Sequence, residues 1–295
     1  MTIEEVHPSE PDWIGRADVE LVTIVSELPH LAALALRAWG TVNYKNFRAL
    51  RDVLRSLCPV ALELRCLRSI PPQLFAGARA LRLDRVHIDR QAAQCICAPV
   101  ALELCSILQN DFAALQLDVR KLTRLRLDGV PIEAGELMAR SATTLQMLEV
   151  GTSIPAPQAP LPALRVLALR DLESVRQWLR AAPGTRHLIV HIALQVRLAV
   201  SKESGDLVAW SASTVPRGVM LDADTIAEGK ALEVVTVVTY SGQVDKRQWQ
   251  DVAVSRRYGE NNVEIRCMRI PQSRVAPMIS RPSLVDPDIL DENWV

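Results

Sequence analysis

Apolar and polar positions recur along this chain in one short pattern, in which leucines alternate with polar residues. Residues 59–64 are repeated without change at 99–104, an offset of 40 residues. A related copy at 80–84 lies midway between them, so the underlying unit is about half that length. Internal repetition at a fixed period is typical of repeat architectures, in which stacked units share one core.

Each copy has a central leucine, and these leucines are Leu34, Leu62, Leu81, Leu102, Leu125, Leu148, Leu167 and Leu188. Their successive spacings are 28, 19, 21, 23, 23, 19 and 21 residues. Leucine-rich repeats have a period of about 20–29 residues and an L-x-x-L-x-L core. The alternation inside each copy predicts a short strand with one buried face. We therefore expect strands at 61–65, 80–84, 101–105, 124–128, 147–151 and 166–170.

The segments between these strands differ in character, and some have apolar residues at helical spacing. Helices are predicted at 46–57, 133–140 and 172–181, and an off-period match at 112–117 is assigned to a connecting helix. Each strand is followed by a return segment that leads back to the start of the next strand. Repetition of this unit with a right-handed connection predicts an α/β leucine-rich-repeat solenoid. In such a fold a curved parallel sheet forms the concave face, and helices or turns form the convex face.

The periodicity divides the chain into four parts. Residues 1–18 are predicted to be a polar tail, 19–200 the solenoid and 271–295 a flexible tail rich in Pro and Ser. Residues 201–270 are either degenerate repeats or a β-rich cap, since terminal repeats are atypical. Further strands are predicted at 191–200, 231–240, 248–255 and 263–270.

The repeats resemble the leucine-rich-repeat regions of fungal F-box proteins. The resemblance rests on 31–39 with the helix at 46–57, on 61–64 and on 122–130, and it covers roughly 19–192. It implies the substrate-recognition part of an F-box-like ubiquitin-ligase adaptor. No F-box is visible, because residues 19–29 lead straight into a repeat, so a ligase core subunit is expected as a partner only if an F-box is present.

The family pattern also has Asn or Cys five residues after the central leucine. Apolar residues or serine stand there in this chain: Leu67, Val86, Ile107, Val130, Ser153 and Leu172. The polar ladder that those side chains form with the backbone between strands is therefore predicted to be absent.

Composition excludes several classes of protein. The 34 Lys and Arg residues balance 34 Asp and Glu, so there is no basic surplus for nucleic acid to bind. There is no apolar run long enough for a membrane span and no apolar leader, so a cytoplasmic or nuclear protein is expected. Its six cysteines are then expected to be reduced, mostly small buried side chains without a metal.

No catalytic motif is legible, and neither an enzyme activity nor a cofactor is expected. There is no phosphate-binding glycine loop, nucleophile elbow or zinc-protease helix. His187 and His191 lie on one repeat, and we interpret them as solvent-facing residues rather than a polar site. The sequence therefore favours a non-catalytic protein-protein interaction scaffold. The alternatives are a stand-alone structural or regulatory repeat protein and, less favoured, an enzyme with an unrecognised site.

Polar residues between the buried leucines are expected to form two rows on the concave face. The first row is Glu63, Arg82, Glu103, Arg126 and Glu149. The second row is Arg65, Asp84, Cys105, Asp128, Gly151 and Arg170. Charges in the first row alternate strictly, and strands lie about 4.8 Å apart, so these residues are predicted to pair with one another.

The first row is open to two interpretations, a partner-binding surface or a self-neutralised ladder that keeps the sheet soluble, and we favour the second. The second row is predicted to be less self-paired. A protein partner is therefore expected to dock over Arg65, Asp84, Asp128 and Arg170. Charge reversal at Asp84 together with Asp128 is expected to weaken binding and leave the fold intact.

Overall fold

The structure is a computed structural model, and it divides the chain into two compact units, Met1–Ser141 and Ala142–Val295. The residues that it describes are 1–4, 17–28, 31–47, 49–57, 59–92, 94–151, 154–170, 174–192, 196–200, 207–211, 216–221, 223–241, 256–258 and 263–271. Both units are α/β, with a parallel sheet and few helices. Among the described residues, there is no helix long and apolar enough to cross a lipid bilayer.

The first unit contains eight described strands. These are β1 (Thr2–Glu4), β2 (Ala33–Asn43), β3 (Ala61–Arg68), β4 (Ala80–Asp84), β5 (Ile96–Cys97), β6 (Ala101–Cys105), β7 (Gln116–Leu117) and β8 (Arg124–Asp128). Strands β1, β2, β3, β4, β6 and β8 lie side by side in that order, and all of them are parallel. The predicted strands in this unit and their sequential parallel order are confirmed. Strand β1 forms where the sequence predicts a polar tail, because Thr2–Glu4 pairs with the outer edge of β2.

The repeated leucines of the first unit lie in register across the sheet. The central leucines Leu34, Leu62, Leu81, Leu102 and Leu125 are aligned on neighbouring strands. A second aligned column follows two residues later, and every side chain of both columns is at most 3% exposed. Period-2 alternation places both columns on the same face of the sheet, so they form its core.

The backbone repeats as regularly as the leucines do. The carbonyl two residues before a central leucine accepts two N–H groups from the next strand. Val60 O, for example, accepts from Arg79 and Ala80 at 2.7 and 3.0 Å, and Val100 O accepts from Thr123 and Arg124 at 2.9 and 3.1 Å. A similar shared acceptor recurs in the second unit at Gln146, Arg165 and Arg186.

A left-handed backbone residue recurs in four copies of the first unit, within β3 and directly after β4, β6 and β8. Cys66, Arg85, Ser106 and Gly129 have φ of 54°, 52°, 52° and 61°, and each lies four residues after a central leucine. The Arg85 N–H donates to Cys105 O at 3.0 Å, and the Ser106 N–H donates to Asp128 O at 2.7 Å. This conformation therefore prolongs the hydrogen-bond ladder beyond the strand before the chain turns away.

Helices and turns connect the strands of the first unit. The helices are α1 (Asp18–Ser26), α2 (Leu50–Leu57), α3 (Gln109–Ala114) and α4 (Gly135–Arg140), and 3-10 turns lie at Tyr44–Asn46, Pro72–Phe75 and Ile132–Ala134. The helix predicted from residue 46 begins at Leu50, because the Asn43 side chain first caps a 3-10 turn. The helix predicted at 112–117 ends at Ala114, because Leu115 is extended and leads into β7.

The second unit contains β9 (Met147–Val150), β10 (Val166–Leu169), β11 (His187–Ile192), β12 (Val196–Val200), β13 (Leu207–Ser211), β14 (Pro216–Leu221), β15 (Val234–Ser241), β16 (Arg256–Tyr258) and β17 (Val263–Pro271). Its described helices are α5 (Val175–Ala181) and α6 (Ala223–Glu228). Strands β9, β10, β11, β15 and β17 are parallel neighbours, and β16 is antiparallel to β17. Strands β12–β14 form a separate antiparallel sheet.

The sheet of the second unit therefore continues beyond the last leucine copy. Val235 of β15 aligns with Leu188, and Ile265 of β17 aligns with Val235. The strands predicted at 231–240 and 263–270 are confirmed. The strand predicted at 191–200 is divided between β11 and β12, while the strand predicted at 248–255 and the tail after Pro271 lie outside the described residues.

Candidate interaction surface

The face of the first-unit sheet opposite the leucines carries charged residues, and we call it the charged face. Its first row, in register from β2 to β8, is Ala35, Glu63, Arg82, Glu103 and Arg126. Its second row is Arg37, Arg65, Asp84, Cys105 and Asp128. These are the positions that the sequence predicts for the concave face, because they alternate with the buried leucines.

First-row charges pair with one another along the charged face, as the alternation predicts. Arg82 Nε lies 3.8 Å from Glu63 Oε1 and 3.4 Å from Glu103 Oε2. Arg126 Nη1 lies 3.4 Å from the same Glu103 oxygen. The side chains of Glu63, Arg82 and Glu103 remain 19%, 25% and 29% exposed, so they are paired and still in contact with solvent.

Arg37 belongs to the charged face too, and the sequence reasoning missed it. Its Nε and Nη2 donate to the two carboxylate oxygens of Glu63, both at 2.8 Å, and its Nη1 donates to Glu4 at 3.4 Å. The hydrogen bonds to Glu63 raise the pKa of the Arg37 guanidinium. A signal was present, because Arg37 stands at the position of Arg65 in the copy that contains Leu34 and Leu36.

Two of the second-row residues predicted to bind a partner, Arg65 and Asp84, are less accessible than Glu63, Arg82 and Glu103 of the first row, although first-row Arg126 is buried as well. The side chains of Arg65 and Asp84 are each only 5% exposed, and Arg65 Nε lies 3.3 Å from Asp84 Oδ2. Burial lowers the pKa of the Arg65 guanidinium, and the Asp84 charge opposes that shift. The prediction that this row is less self-paired is wrong for these two residues, because neighbouring side chains enclose both. Asp128, in the same row, is half-buried.

Arg170, the fourth residue predicted to bind a partner, lies in the second unit. Its Nη2 donates to Glu149 Oε1 at 3.0 Å, and the two side chains are 5% and 1% exposed. The middle of the face that carries them is buried, since Glu149, Ala168, Ile189, His191, Thr236 and Val238 are at most 3% exposed. The leucines on the other face are buried as well, so Arg170 is not presented to solvent.

The two histidines of β11 differ from their predicted solvent-facing state. His191 is 3% exposed and lies on the same buried face as Ile189. His187 is half-buried, and its Nε2 is 2.9 Å from Thr236 Oγ1 on β15. Cross-strand packing on this face accounts for both positions, since residues 187, 189 and 191 project to one side of the strand.

A third histidine, His87, belongs to a side-chain interaction outside the charged face. His87 Nδ1 lies 2.9 Å from Asp111 Oδ2, and the Ile88 N–H donates to Asp111 Oδ1 at 2.9 Å. Asp111 is 3% exposed, so its carboxylate is satisfied inside the first unit. The pair joins the return segment of one copy to α3 of the next. The sequence carries no signal for it, because the partners are 24 residues apart.

The cysteines of the described region do not form a ligand set. Cys66, Cys97 and Cys105 are buried and Cys95 is partly exposed. Burial raises the pKa of the Cys97 thiol to about 11 and that of Cys105 to about 12, so both stay protonated at neutral pH. Among the described residues, there is no group of three or more His, Cys, Asp or Glu side chains placed to hold a metal ion.

Comparison with known proteins finds no match, whether against protein-family models, curated proteins or solved structures.

Proposed function

We propose that this chain is a leucine-rich-repeat solenoid that acts as a non-catalytic scaffold for a protein partner. Three periodic features support the solenoid: the leucine columns in register, the shared carbonyl acceptors, and the left-handed residues four positions after successive central leucines. Repeats that contact only their neighbours build an extended regular surface, which is the usual binding surface of such proteins.

The observation that carries the proposal is the partial exposure of the charged face. The side chains of Glu63, Arg82 and Glu103 are 19–29% exposed, whereas those of Arg65, Asp84 and Arg170 are each 5% exposed. Of the four residues predicted to bind a partner, Asp128 remains a direct contact in this proposal. The buried pair Arg65 and Asp84 holds the surface in place beneath it.

A row of small side chains borders the charges. Ala33, Ala61, Ala80 and Ala101 are in register, and no atom beyond Cβ projects from them. A partner segment can therefore approach the backbone there while its polar groups meet the first-row charges. Interfaces of this kind gain specificity and association rate from complementary charges more than they gain raw affinity.

The resemblance to F-box proteins refines the proposal. In that form, the partner is a substrate of a ubiquitin ligase, and the chain is the recognition part of the adaptor. In the alternative form, the chain is a stand-alone structural or regulatory protein. An affinity purification scored for the ligase core subunit that binds F-boxes distinguishes them, because only the adaptor form captures that subunit together with the partner.

A substitution at Arg82 tests the surface itself. Arg82→Gln removes the central cation, yet Glu63 keeps Arg37 and Glu103 keeps Arg126, so the fold is expected to stay within about 1 kcal/mol of wild type. Recovery of the partner is expected to fall about tenfold. Arg90→Gln, an exposed arginine outside the charged face, is the matched control. Equal recovery with Arg82→Gln and wild type would contradict the proposal.

A further inference from the structure

Helix α1 carries apolar residues on its outer as well as its inner side. Leu21 and Val25 are 7% and 0% exposed and fill the inner side, where α1 packs against α2. Ile24 and Leu28, in and just beyond its last turn, are 51% and 39% exposed, and Val19, in its first turn, is 68% exposed. Covering exposed apolar side chains with another apolar surface is favourable, so the outer side of α1 is suited to contact another molecule.

Acidic residues accompany the exposed apolar ones. Glu20, Ile24 and Glu27 are spaced i, i+4 and i+7, so they share one side of α1, and both glutamates are exposed. Glu27 is the C-cap residue, and the last turn has no basic residue to balance it. A carboxylate adds there to the negative end of the helix dipole, which favours a cation from outside.

We propose that the outer face of α1, formed by Glu20, Ile24, Glu27 and the adjoining Leu28, binds an amphipathic helix whose apolar stripe is flanked by Lys or Arg. The apolar stripe covers Ile24 of α1 and Leu28, which lies just beyond the C-cap of the helix. The basic flanks meet Glu20 and Glu27, which satisfies the unbalanced end of the helix. This surface is separate from the charged face and serves a second partner.

Charge argues against the other occupants. A second copy of this chain would bring Glu20 and Glu27 against the same two residues, whether the two helices ran parallel or antiparallel, and like charges repel. Residues 5–16 contain Glu5, Glu10 and Asp12 against Arg16 alone. Residues 272–295 contain four acidic residues, Asp286, Asp288, Asp291 and Glu292, against Arg274 and Arg281. Both terminal segments have the wrong sign.

Two labelled synthetic peptides test the proposal with the full chain. Each is roughly 18 residues long, because shorter isolated helices are marginal in water. Both carry leucines at i, i+3, i+4 and i+7; one has lysine flanks, and the other has glutamate in the same places. In fluorescence anisotropy, the lysine peptide is expected to bind at least about tenfold more tightly than the glutamate peptide, with an affinity that falls as salt rises.

Variants of the chain locate the binding. Ile24→Ser is expected to weaken the lysine peptide about tenfold, and Glu20→Gln with Glu27→Gln to weaken it and flatten its salt dependence. Val60→Ser is the matched control, because Val60 is 49% exposed and lies outside α1. All variants should keep the wild-type melting temperature, since the changed side chains are exposed.

Three results would overturn the proposal. The first is equal binding of the two peptides, and the second is an equal effect of Val60→Ser and Ile24→Ser. The third is a wild-type dimer in light scattering that Ile24→Ser converts to a monomer, which would make a second copy the occupant. None of these outcomes bears on the charged face. The Arg82→Gln test of the proposed function therefore remains valid whatever the peptides show.

Discussion

Replacing Asp84 with alanine tests whether the second-row ion pair is part of the folded core. The side chains of Arg65 and Asp84 are each 5% exposed, and their nearest charged atoms are 3.3 Å apart. Asp84→Ala would leave the Arg65 cation buried beside no carboxylate. Removing one partner of a buried pair costs about 3–5 kcal/mol. We expect the free energy of unfolding to fall by that amount, a large part of the roughly 5–15 kcal/mol typical of a domain.

Two further variants distinguish the cost of leaving a charge buried without its partner from the cost of losing a charge pair as such. Arg85 Nε also lies 3.5 Å from Asp84, but its side chain is 45% exposed, so Arg85→Ala is expected to cost only about 0–1 kcal/mol. The double variant Arg65→Met with Asp84→Leu removes both charges at similar volume. It is expected to be neutral or stabilising by about 1–4 kcal/mol, because Arg65 Nε and Asp84 Oδ2 form no hydrogen bond that would offset their desolvation.

Urea unfolding followed by circular dichroism gives the free energies, and hydrogen exchange on the amides of β3 and β4 reports on the first unit alone. The reasoning is refuted if Asp84→Ala unfolds within about 1 kcal/mol of wild type, or if the double variant is as unstable as the single one. The same argument revises the expectation from sequence that reversing Asp84 leaves the fold intact. A lysine there would place two cations in the buried site, so loss of binding would reflect unfolding.

Three further predictions concern the first unit. Leu104→Ala, at a side chain that is 0% exposed, should cost about 2–5 kcal/mol in urea unfolding, and Val100→Ala, 37% exposed, should cost less than about 1; similar costs would refute the core assignment. Burial raises the pKa of the Cys105 thiol from 9.0 to about 12, so the folded state favours the protonated thiol. The stability that this preference gives the fold is complete below pH 9 and is lost as pH rises towards 12. Cys105→Ala should therefore lose less stability than wild type over that range, and parallel alkaline profiles would contradict this. Gly129→Ala, at φ 61° and with Ser106 Oγ 3.4 Å from the added methyl, should cost about 1–2 kcal/mol, and a stability unchanged in the same urea assay would contradict the left-handed assignment.

The strands of the first unit were predictable because two independent patterns coincide. Alternation sets which side chains are buried, and the literal repetition of residues 59–64 sets the neighbours. Strand β3 nevertheless extends to Arg68, past the predicted end, because the chain keeps pairing beyond the charged residue. Local pattern determines the centre of a strand better than its end.

The left-handed residues could not be predicted from residue type. Only Gly129 is the residue that this conformation favours, whereas Cys66, Arg85 and Ser106 carry a Cβ and adopt it at a cost of about 1–2 kcal/mol each. The hydrogen bonds that extend the ladder to the next strand offset that cost. Contacts with the neighbouring strand decide the conformation here, and the sequence of a single copy does not indicate the left-handed residue.

Exposure on the charged face was equally hard to predict. The signs of the charges predict pairing, but they do not tell which pair is enclosed, and Arg65 with Asp84 is enclosed while Arg82 with Glu103 is not. The second unit did carry a signal. Val234, Val235, Thr236, Val237 and Val238 form a nearly continuous apolar run rather than an alternation, as strands buried on both faces do.

The difference between the two sheets has a consequence for how the chain tolerates substitution. In the first unit, exposed charges such as Glu63 and Arg82 are exchangeable for other polar residues at little cost in stability, because water remains available to both. In the second unit, Ala168 and Ile189 face a filled space, so either a larger or a more polar side chain is disfavoured. Random mutagenesis would therefore leave the exposed charged positions of the first unit free to change, and with them what the surface binds, while positions such as Ala168 and Ile189 stay nearly invariant.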